Sequence, residues 1–131
     1  MMYHTILVPL DGSGNANKAL DIAAHLARAN TARLYLLHVP ATTDDNDASR
    51  DDAALQLVHT ALEAIDTSDL ETSILVRRGQ PADVIEREAH RLDADAIVMG
   101  YRGLGKTSDM MGGSVSRAIN HHAACRVITV R

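Results

Sequence analysis

The chain has 131 residues, a formal net charge of −4 and a single cysteine. This length suits one domain, residues 1–131, built around a single core. The acidic balance removes the attraction that drives non-specific binding to nucleic acids and anionic membranes, and no apolar run approaches the roughly 20 residues that span a bilayer. Because one cysteine cannot form an intramolecular disulfide and the N-terminal residues lack a signal-peptide pattern, we expect a cytoplasmic protein that does not bind nucleic acid and is not inserted into a membrane.

The first part of the chain alternates short apolar runs with a helical pattern. His4–Pro9 is continuously apolar and β-branched, as strands buried on both faces are. A turn cluster, Asp11–Gly14, separates it from a helix whose apolar stripe extends to Asn30. Arg33–Val39 predicts a second strand, which Pro40 ends.

The same alternation continues to the last residue. Proline in a first helical turn, turn residues between apolar runs and helical spacing of apolar side chains place the remaining elements. In chain order, these are an acidic loop over Ala41–Asp52, a helix carrying Leu55, Val58, Leu62 and Ile65, a strand over Glu71–Arg78, a helix opened by Pro81, a strand over Ala94–Met99, a helix from Ser114 to about His122 and a strand over Arg126–Val130.

Strands that alternate with helices predict a parallel sheet with right-handed crossovers and helices on both faces. In such open sheets, ligands bind beyond the carboxyl ends of the strands, where the strand order reverses. Three segments follow predicted strand ends: Pro9–Ser13, Val39–Pro40 and the glycine-rich loop after Met99. The sequence therefore predicts a ligand site at this edge.

The glycine-rich loop GYRGLGKTSDMMGGS fits two nucleotide-binding patterns. In the first, Gly100 and Gly105–Thr107 form a P-loop, which is typical of NTPases that bind phosphates and Mg²⁺ at the start of a helix. A helix starting at Lys106 would run into Gly112–Gly113, and each glycine costs about 1 kcal/mol inside a helix. The last strand also ends without the acid that holds Mg²⁺ in such enzymes.

In the second pattern, Gly100 and Gly103 open the loop and Gly113–Ser114 starts the final helix. The N–H groups of Gly113, Ser114 and Val115 would then face a phosphate, helped by the helix dipole. The paired glycines precede the helix instead of interrupting it. We therefore prefer the second pattern and keep the P-loop as an alternative.

Five motifs occur in register along the whole chain, and together they resemble the universal stress protein family. The resemblance implies an α/β three-layer sandwich like that of the adenine-nucleotide alpha hydrolases. Its parallel sheet would have five strands in the order 3-2-1-4-5, with two helices on each face. The resemblance also implies an ATP-binding branch of the family and a homodimer through the strand Arg126–Val130. The five motifs are Gly100-x2-Gly103-x9-Gly113-Ser114, Ile6–Pro9 with Asp11–Ser13, Leu37–Val39, Gly79-x-Pro81-Ala82, and Ala94–Gly100.

The resemblance also implies a role for each site residue. Pro9 and Asp11 would contact adenine and ribose, with the Asp11 carboxylate accepting from a ribose hydroxyl, and Val39 would offer backbone groups to adenine. Met99 and Gly100 would line the ribose side. The ligand would be ATP, ADP or AMP, with Mg²⁺ held by the phosphates and by no protein group directly. The residues expected at the phosphates are Gly103, Gly113, Ser114, Val115 and Ser116, with Arg102 and Lys106 as further candidate contacts.

These residues predict a nucleotide-dependent regulatory module of the stress response. Asp109 is the only acid inside the loop and no convincing general base lies near it, so we assign no catalytic residue and expect slow hydrolysis or none. Two other functions stay open: a P-loop NTPase that uses Gly100–Thr107, and a nucleotide-independent module that binds proteins, such as a transporter regulator.

Three residues have simpler interpretations. Asp11 could serve only to cap the first helix. His38 is expected to be a strand residue near the site without a chemical role. Cys125 lacks a neighbouring acid–base pair, so a buried, unreactive thiol is expected.

Overall fold

The computed structural model describes residues 3–40, 48–101 and 125–131. The predicted alternation of strands and helices is confirmed for these residues, although several strand bounds move by one or two residues. The second helix begins at Ala48, inside the loop that was predicted over Ala41–Asp52. The helix predicted from Ser114 lies outside the described residues. The elements are β1 (Thr5–Pro9), α1 (Gly14–Asn30), β2 (Arg33–His38), α2 (Ala48–Glu63), β3 (Glu71–Val76), α3 (Pro81–Arg91), β4 (Ala96–Gly100) and β5 (Arg126–Val130).

The five strands form one parallel sheet in the order β3-β2-β1-β4-β5, as predicted. β1 lies at the centre, where Thr5–Pro9 pair with Arg33–Leu37 of β2 on one side. On the other side, Ile6 and Leu7 pair with Ala96 and Ile97 of β4. The strand order therefore reverses between β1 and β4, which identifies the expected ligand edge.

Alternate side chains of β1 enter two separate cores, because successive strand residues point to opposite faces. Ile6 and Val8 pack with residues of α1 and α2, whereas Leu7 packs with residues of α3. α1 and α2 thus cover one face of the sheet, and α3 covers the other. None of the helices among the described residues is both long and apolar enough to cross a membrane.

The buried side of α3 includes a carboxylate that its apolar pattern did not indicate. Val84 and Ile85 are buried, and Glu88 is also buried, with 3% of its surface exposed. Its Oε1 accepts hydrogen bonds from Nε and Nη2 of Arg91 at 3.1 and 2.7 Å, and Nε of Arg77 lies at 3.6 Å. The hydrogen bonds from Arg91 are the main cause that lowers the pKa of Glu88, so the carboxylate stays charged despite its burial.

At the amino edge of the sheet, Asp95 connects three strands. Its Oδ2 accepts hydrogen bonds from the N–H groups of His4 and Thr5 at 2.6 and 2.8 Å. Its own N–H donates to Thr5, and its carbonyl oxygen accepts from Arg126 at the start of β5. Regular β4 pairing begins at Ala96, two residues later than predicted.

At the opposite edge, Gly100 ends β4 against the first turn of α1. A Cβ atom on Gly100 would stand 2.7 Å from the nitrogen of Ala16 and 2.7 Å from the carbonyl carbon of Asn15. These are backbone atoms of a helix, so they cannot move aside as a flexible side chain would. The sequence predicts that Gly100 permits a close approach to a ligand or a positive φ, and the close approach in the structure is to α1.

We expect Gly100→Ala to lower the free energy of unfolding by about 2–3 kcal/mol, because the added methyl group overlaps helix backbone. Gly14→Ala is the matched control. No atom lies within 4 Å of a Cβ built on Gly14, and alanine favours the helix. Urea unfolding followed by circular dichroism measures both variants, and equal stability of the two would contradict the packing role of Gly100.

Asp95→Asn tests the contact at the amino edge. The hydrogen bond from His4 is the main cause that holds the pKa of Asp95 below its ordinary value of 3.8, and the bond from Thr5 adds to it, against partial desolvation. A lowered pKa means that this stabilisation is present above the unfolded-state value and is lost as the pH falls through the folded-state value.

At pH 7 we therefore expect Asp95→Asn to cost about 1 kcal/mol. This difference from the unsubstituted protein should shrink as the pH is lowered below about 4. Urea unfolding at pH 7 and at pH 3.5 measures it, with Asp52→Asn, a change at an exposed position of α2, as the control. A cost that is the same at both pH values would rule out the ionised carboxylate as its source.

Candidate functional site

The candidate site lies at the carboxyl edge of the sheet, on both sides of the point where strand order reverses. β1 ends at Pro9, β2 ends at His38 and β4 ends at Gly100. All three strands are parallel and adjacent, so the segments that follow them start at one edge. The structure thus brings together the three segments that the sequence singled out.

The turn between β1 and α1 is held by its own side chains. Oδ1 of Asp11 accepts from the N–H of Ser13 at 2.9 Å, and Gly12 adopts φ +87°, which a residue with a Cβ rarely does. Oγ of Ser13 accepts from the N–H of Ala16 at 3.1 Å, so Ser13 is the N-cap of α1. Asp11 therefore shapes the turn without capping the helix, and a carboxylate has further lone pairs with which to accept from a ligand.

The end of β2 is joined to the residue that follows β1. The N–H of Leu10 donates to the carbonyl oxygen of Leu37 at 2.8 Å. The carbonyl oxygen of Leu10 is 2.7 Å from Nδ1 of His38. Leu10 and Val39 are fully buried and His38 is 7% exposed. These contacts set the relative position of the β1 and β2 ends in a setting that excludes water.

The start of the glycine-rich loop is attached to α1 and to β5. Nδ2 of Asn15 donates to the carbonyl oxygen of Tyr101, and the N–H of Tyr101 donates to the carbonyl oxygen of Val130 at 2.7 Å. The guanidinium carbon of Arg131 lies 4.6 Å from the centre of the Tyr101 ring, a cation–π distance. The direction in which the chain enters the loop is therefore defined.

The predicted site residues differ in the solvent exposure of their side chains. The side chain of Asp11 is partly exposed, whereas Pro9, Val39, Met99 and Gly100 are buried. Val39 and Met99 belong to the core beneath α3, so backbone groups are what they can offer at the edge. The other predicted contacts lie outside the described residues: Arg102, Gly103, Lys106, Gly113, Ser114, Val115 and Ser116.

Two polar side chains at this edge were not assigned a role from the sequence. His38 is the one basic residue inside the apolar run LYLLHV, and a polar side chain in a buried strand must find a hydrogen-bond partner. That rule would have marked His38 as part of a contact. Asn15 lies in the first turn of α1, where a polar residue is ordinary, so no sequence signal indicated its bond to Tyr101.

Cavities also occur apart from the predicted site residues, and one of them lies beside the carboxyl end of β3. A cavity of about 600 Å³ opens at the amino edge, where Arg28 and Asp69 form an ion pair, and another of about 570 Å³ is lined by Leu55, Arg77 and Arg78 among others. Neither includes a predicted site residue. Within residues 3–40, 48–101 and 125–131, no group of three or more His, Cys, Asp or Glu side chains is arranged to hold a metal ion.

Cys125 is partly buried beside the core under α3. Burial is the main cause that raises the pKa of its thiol. The protonated form is a poor nucleophile, which agrees with the unreactive thiol expected from the sequence.

Comparison with known proteins finds relatives that align with this chain over nearly their full length. The universal stress protein YxiE of Bacillus subtilis is 30% identical to the chain over 150 aligned residues, which cover 99% of this chain and 100% of that protein. A universal stress protein structure from Archaeoglobus fulgidus is 30% identical with a TM-score of 0.79, over 98% of this chain and 99% of that one.

A second Archaeoglobus fulgidus structure, of a universal stress protein in complex with dAMP, is 31% identical with a TM-score of 0.73 and covers 100% of both chains. The family model described as "Universal stress protein family" matches residues 2–131. The match spans the motifs on which the resemblance was based as well as the observed sheet. This chain belongs to the universal stress protein family.

Proposed function

We propose that this protein binds an adenine nucleotide across the carboxyl edge of its sheet and acts in the cytoplasm as a nucleotide-dependent regulator of the stress response. The observation that carries the proposal is the arrangement around β1, where Asp11, Val39 and Gly100 flank the reversal of strand order. The dAMP complex of the relative that is 31% identical supports the same ligand class.

The base and ribose would lie over the ends of β1 and β2. Pro9 and the backbone of Val39 contact adenine in this proposal, and Asp11 accepts a hydrogen bond from a ribose hydroxyl. The partly exposed carboxylate of Asp11 suits that role, because its bond to Ser13 already fixes its orientation. Met99 and Gly100 complete the ribose side through their backbone.

The phosphates would lie on the glycine-rich loop beyond β4. Gly103 and the N–H groups of Gly113–Val115 hold them, Ser116 adds a hydroxyl, and Arg102 and Lys106 supply positive charge. The ligand is ATP, or ADP or AMP, with Mg²⁺ held by the phosphates. Hydrolysis is slow or absent in this proposal, because no general base is assigned at the site.

In this proposal the bound nucleotide regulates a homodimer that forms through β5. Within the described residues, β5 pairs with β4 alone and so forms an outer edge of the sheet, and an exposed edge strand is able to pair with a second copy. Tyr101, which starts the glycine-rich loop, donates to Val130 of that strand. Ordering of the loop by a nucleotide would therefore change a segment attached to the dimer edge, Arg126–Val130.

Replacing Gly113 and Lys106 separately discriminates between the two loop patterns. We expect Gly113→Val to weaken ATP binding at least tenfold, since a side chain there would block close approach of a phosphate to backbone N–H groups. Lys106→Ala should have a smaller effect. Isothermal titration calorimetry measures both, and unfolding temperatures recorded in parallel separate lost binding from lost folding.

The reverse ranking would favour the P-loop NTPase. The absence of saturable binding of ATP, ADP and AMP to the unsubstituted protein at millimolar concentration would reject the nucleotide proposal and favour the module that only binds proteins. Mass spectrometry of small molecules released from freshly purified protein gives an independent check.

Asp11→Asn tests the ribose contact. Asparagine keeps an oxygen that accepts from Ser13, so the turn should persist, but a neutral acceptor binds a hydroxyl more weakly than a carboxylate. We expect affinity for AMP to fall about five- to tenfold. Asp21→Asn, an equal charge change at an exposed position of α1, should leave affinity unchanged. Equal effects of the two substitutions would show that overall charge, and not the ribose contact, is responsible.

A further inference from the structure

His38 forms an unusual contact with the backbone of the segment that follows β1. Its Nδ1 is 2.7 Å from the carbonyl oxygen of Leu10. A carbonyl oxygen can only accept, so Nδ1 carries the proton in this contact. Leu10 is fully buried and only 7% of the surface of His38 is exposed, so the bond is made away from water.

This contact is made to the carbonyl oxygen that would continue the β1–β2 ladder. The observed pairing runs up to Pro9 with Leu37, and the N–H of Leu10 still donates to Leu37 in the regular parallel pattern. In that pattern, the carbonyl oxygen of Leu10 would accept next from the backbone N–H of Val39. In the structure this oxygen accepts from the imidazole of His38, and no bond from the N–H of Val39 to it is formed.

The N–H of Val39 is therefore a buried donor for which the described residues provide no acceptor. Within residues 3–40, 48–101 and 125–131, no group accepts a hydrogen bond from the N–H of Val39, and Val39 is fully buried. Buried N–H groups are nearly always paired, and an unpaired one destabilises the folded state. A ligand that brings an acceptor atom to Val39 recovers this loss, whereas a ligand that brings a donor does not.

We propose that His38 is a positioning residue that reserves the backbone N–H of Val39 for a ligand acceptor and so makes the site select adenine over 6-oxopurines. This inference rests on the proposed adenine-nucleotide function. N1 of adenine is an unprotonated acceptor, whereas N1 of hypoxanthine and of guanine carries a proton. A base that brings no acceptor to this position leaves the buried N–H without a partner and therefore binds more weakly than adenine.

The test compares AMP with inosine monophosphate, which differ at the base alone. We expect the unsubstituted protein to bind AMP at least tenfold more tightly than inosine monophosphate, as measured by calorimetry. His38→Leu removes the donor, so Leu10 can accept from Val39 and close the ladder. Affinity for AMP should fall about tenfold or more, and the preference over inosine monophosphate should approach unity.

His38→Asn is the rescue variant, because its Nδ2 is separated from the backbone by the same number of bonds as Nδ1 of histidine. It should restore most of the preference for AMP. Val58→Ala is the control for a merely structural effect: Val58 is buried in the core under α1 and α2, so this variant should lose stability and keep the preference.

Nuclear magnetic resonance of the ligand-free protein checks the geometry separately. We expect a proton on Nδ1 of His38 at neutral pH, and a Val39 amide resonance that shifts on addition of AMP in the unsubstituted protein but not in His38→Leu. An unprotonated Nδ1, or a His38→Leu variant that keeps both its AMP affinity and its preference, would overturn the inference alone. If the unsubstituted protein binds no adenine nucleotide, the proposed function fails and this inference fails with it.

Discussion

The double pairing of β1 is the constraint on which the candidate site depends. β1 is hydrogen-bonded to β2 on one side and to β4 on the other, so its direction is set by both neighbours. Leu10 extends this fixed path by one residue, through its bonds to Leu37 and His38. Asp11 therefore leaves the sheet from a position that is held before any ligand arrives, which is the condition for a pre-organised site.

Side chains hold both edges of the sheet. At the amino edge, Asp95 binds the start of β1, and Arg33 pairs with Glu71 at 2.8 Å. At the carboxyl edge, Ser13, Asn15 and His38 make contacts around the ends of β1, β2 and β4. Charged groups take part there as well: the Asp11 carboxylate accepts from Ser13, and the guanidinium group of Arg131 lies over the Tyr101 ring.

The sequence predicted the elements well because each one has a local signal, whereas the strand order came from the family resemblance. It did not predict the polar contacts, whose partners are distant in sequence. Nδ1 of His38 meets a residue 28 positions away, and Asp95 meets Thr5 across 90 positions. Periodicity shows which face of an element is buried, but it does not show which carbonyl oxygen lies opposite a given side chain across two strands.

Gly100 belongs to both nucleotide-binding patterns. Its packing against α1 explains the glycine without a ligand, so Gly100 is no longer evidence for either pattern. Contact with helix backbone requires a glycine there whatever the loop binds, so the P-loop pattern rests on Gly105–Thr107 alone. That pattern does not explain the turn at Asp11 or the N–H of Val39, which has no acceptor in the part of the chain that the structure describes; both lie at the ends of β1 and β2. A nucleotide with its base at Val39 and its phosphates beyond β4 uses both sides of the strand-order reversal, and the pattern that ends in Gly113–Ser114 is the one that this placement favours.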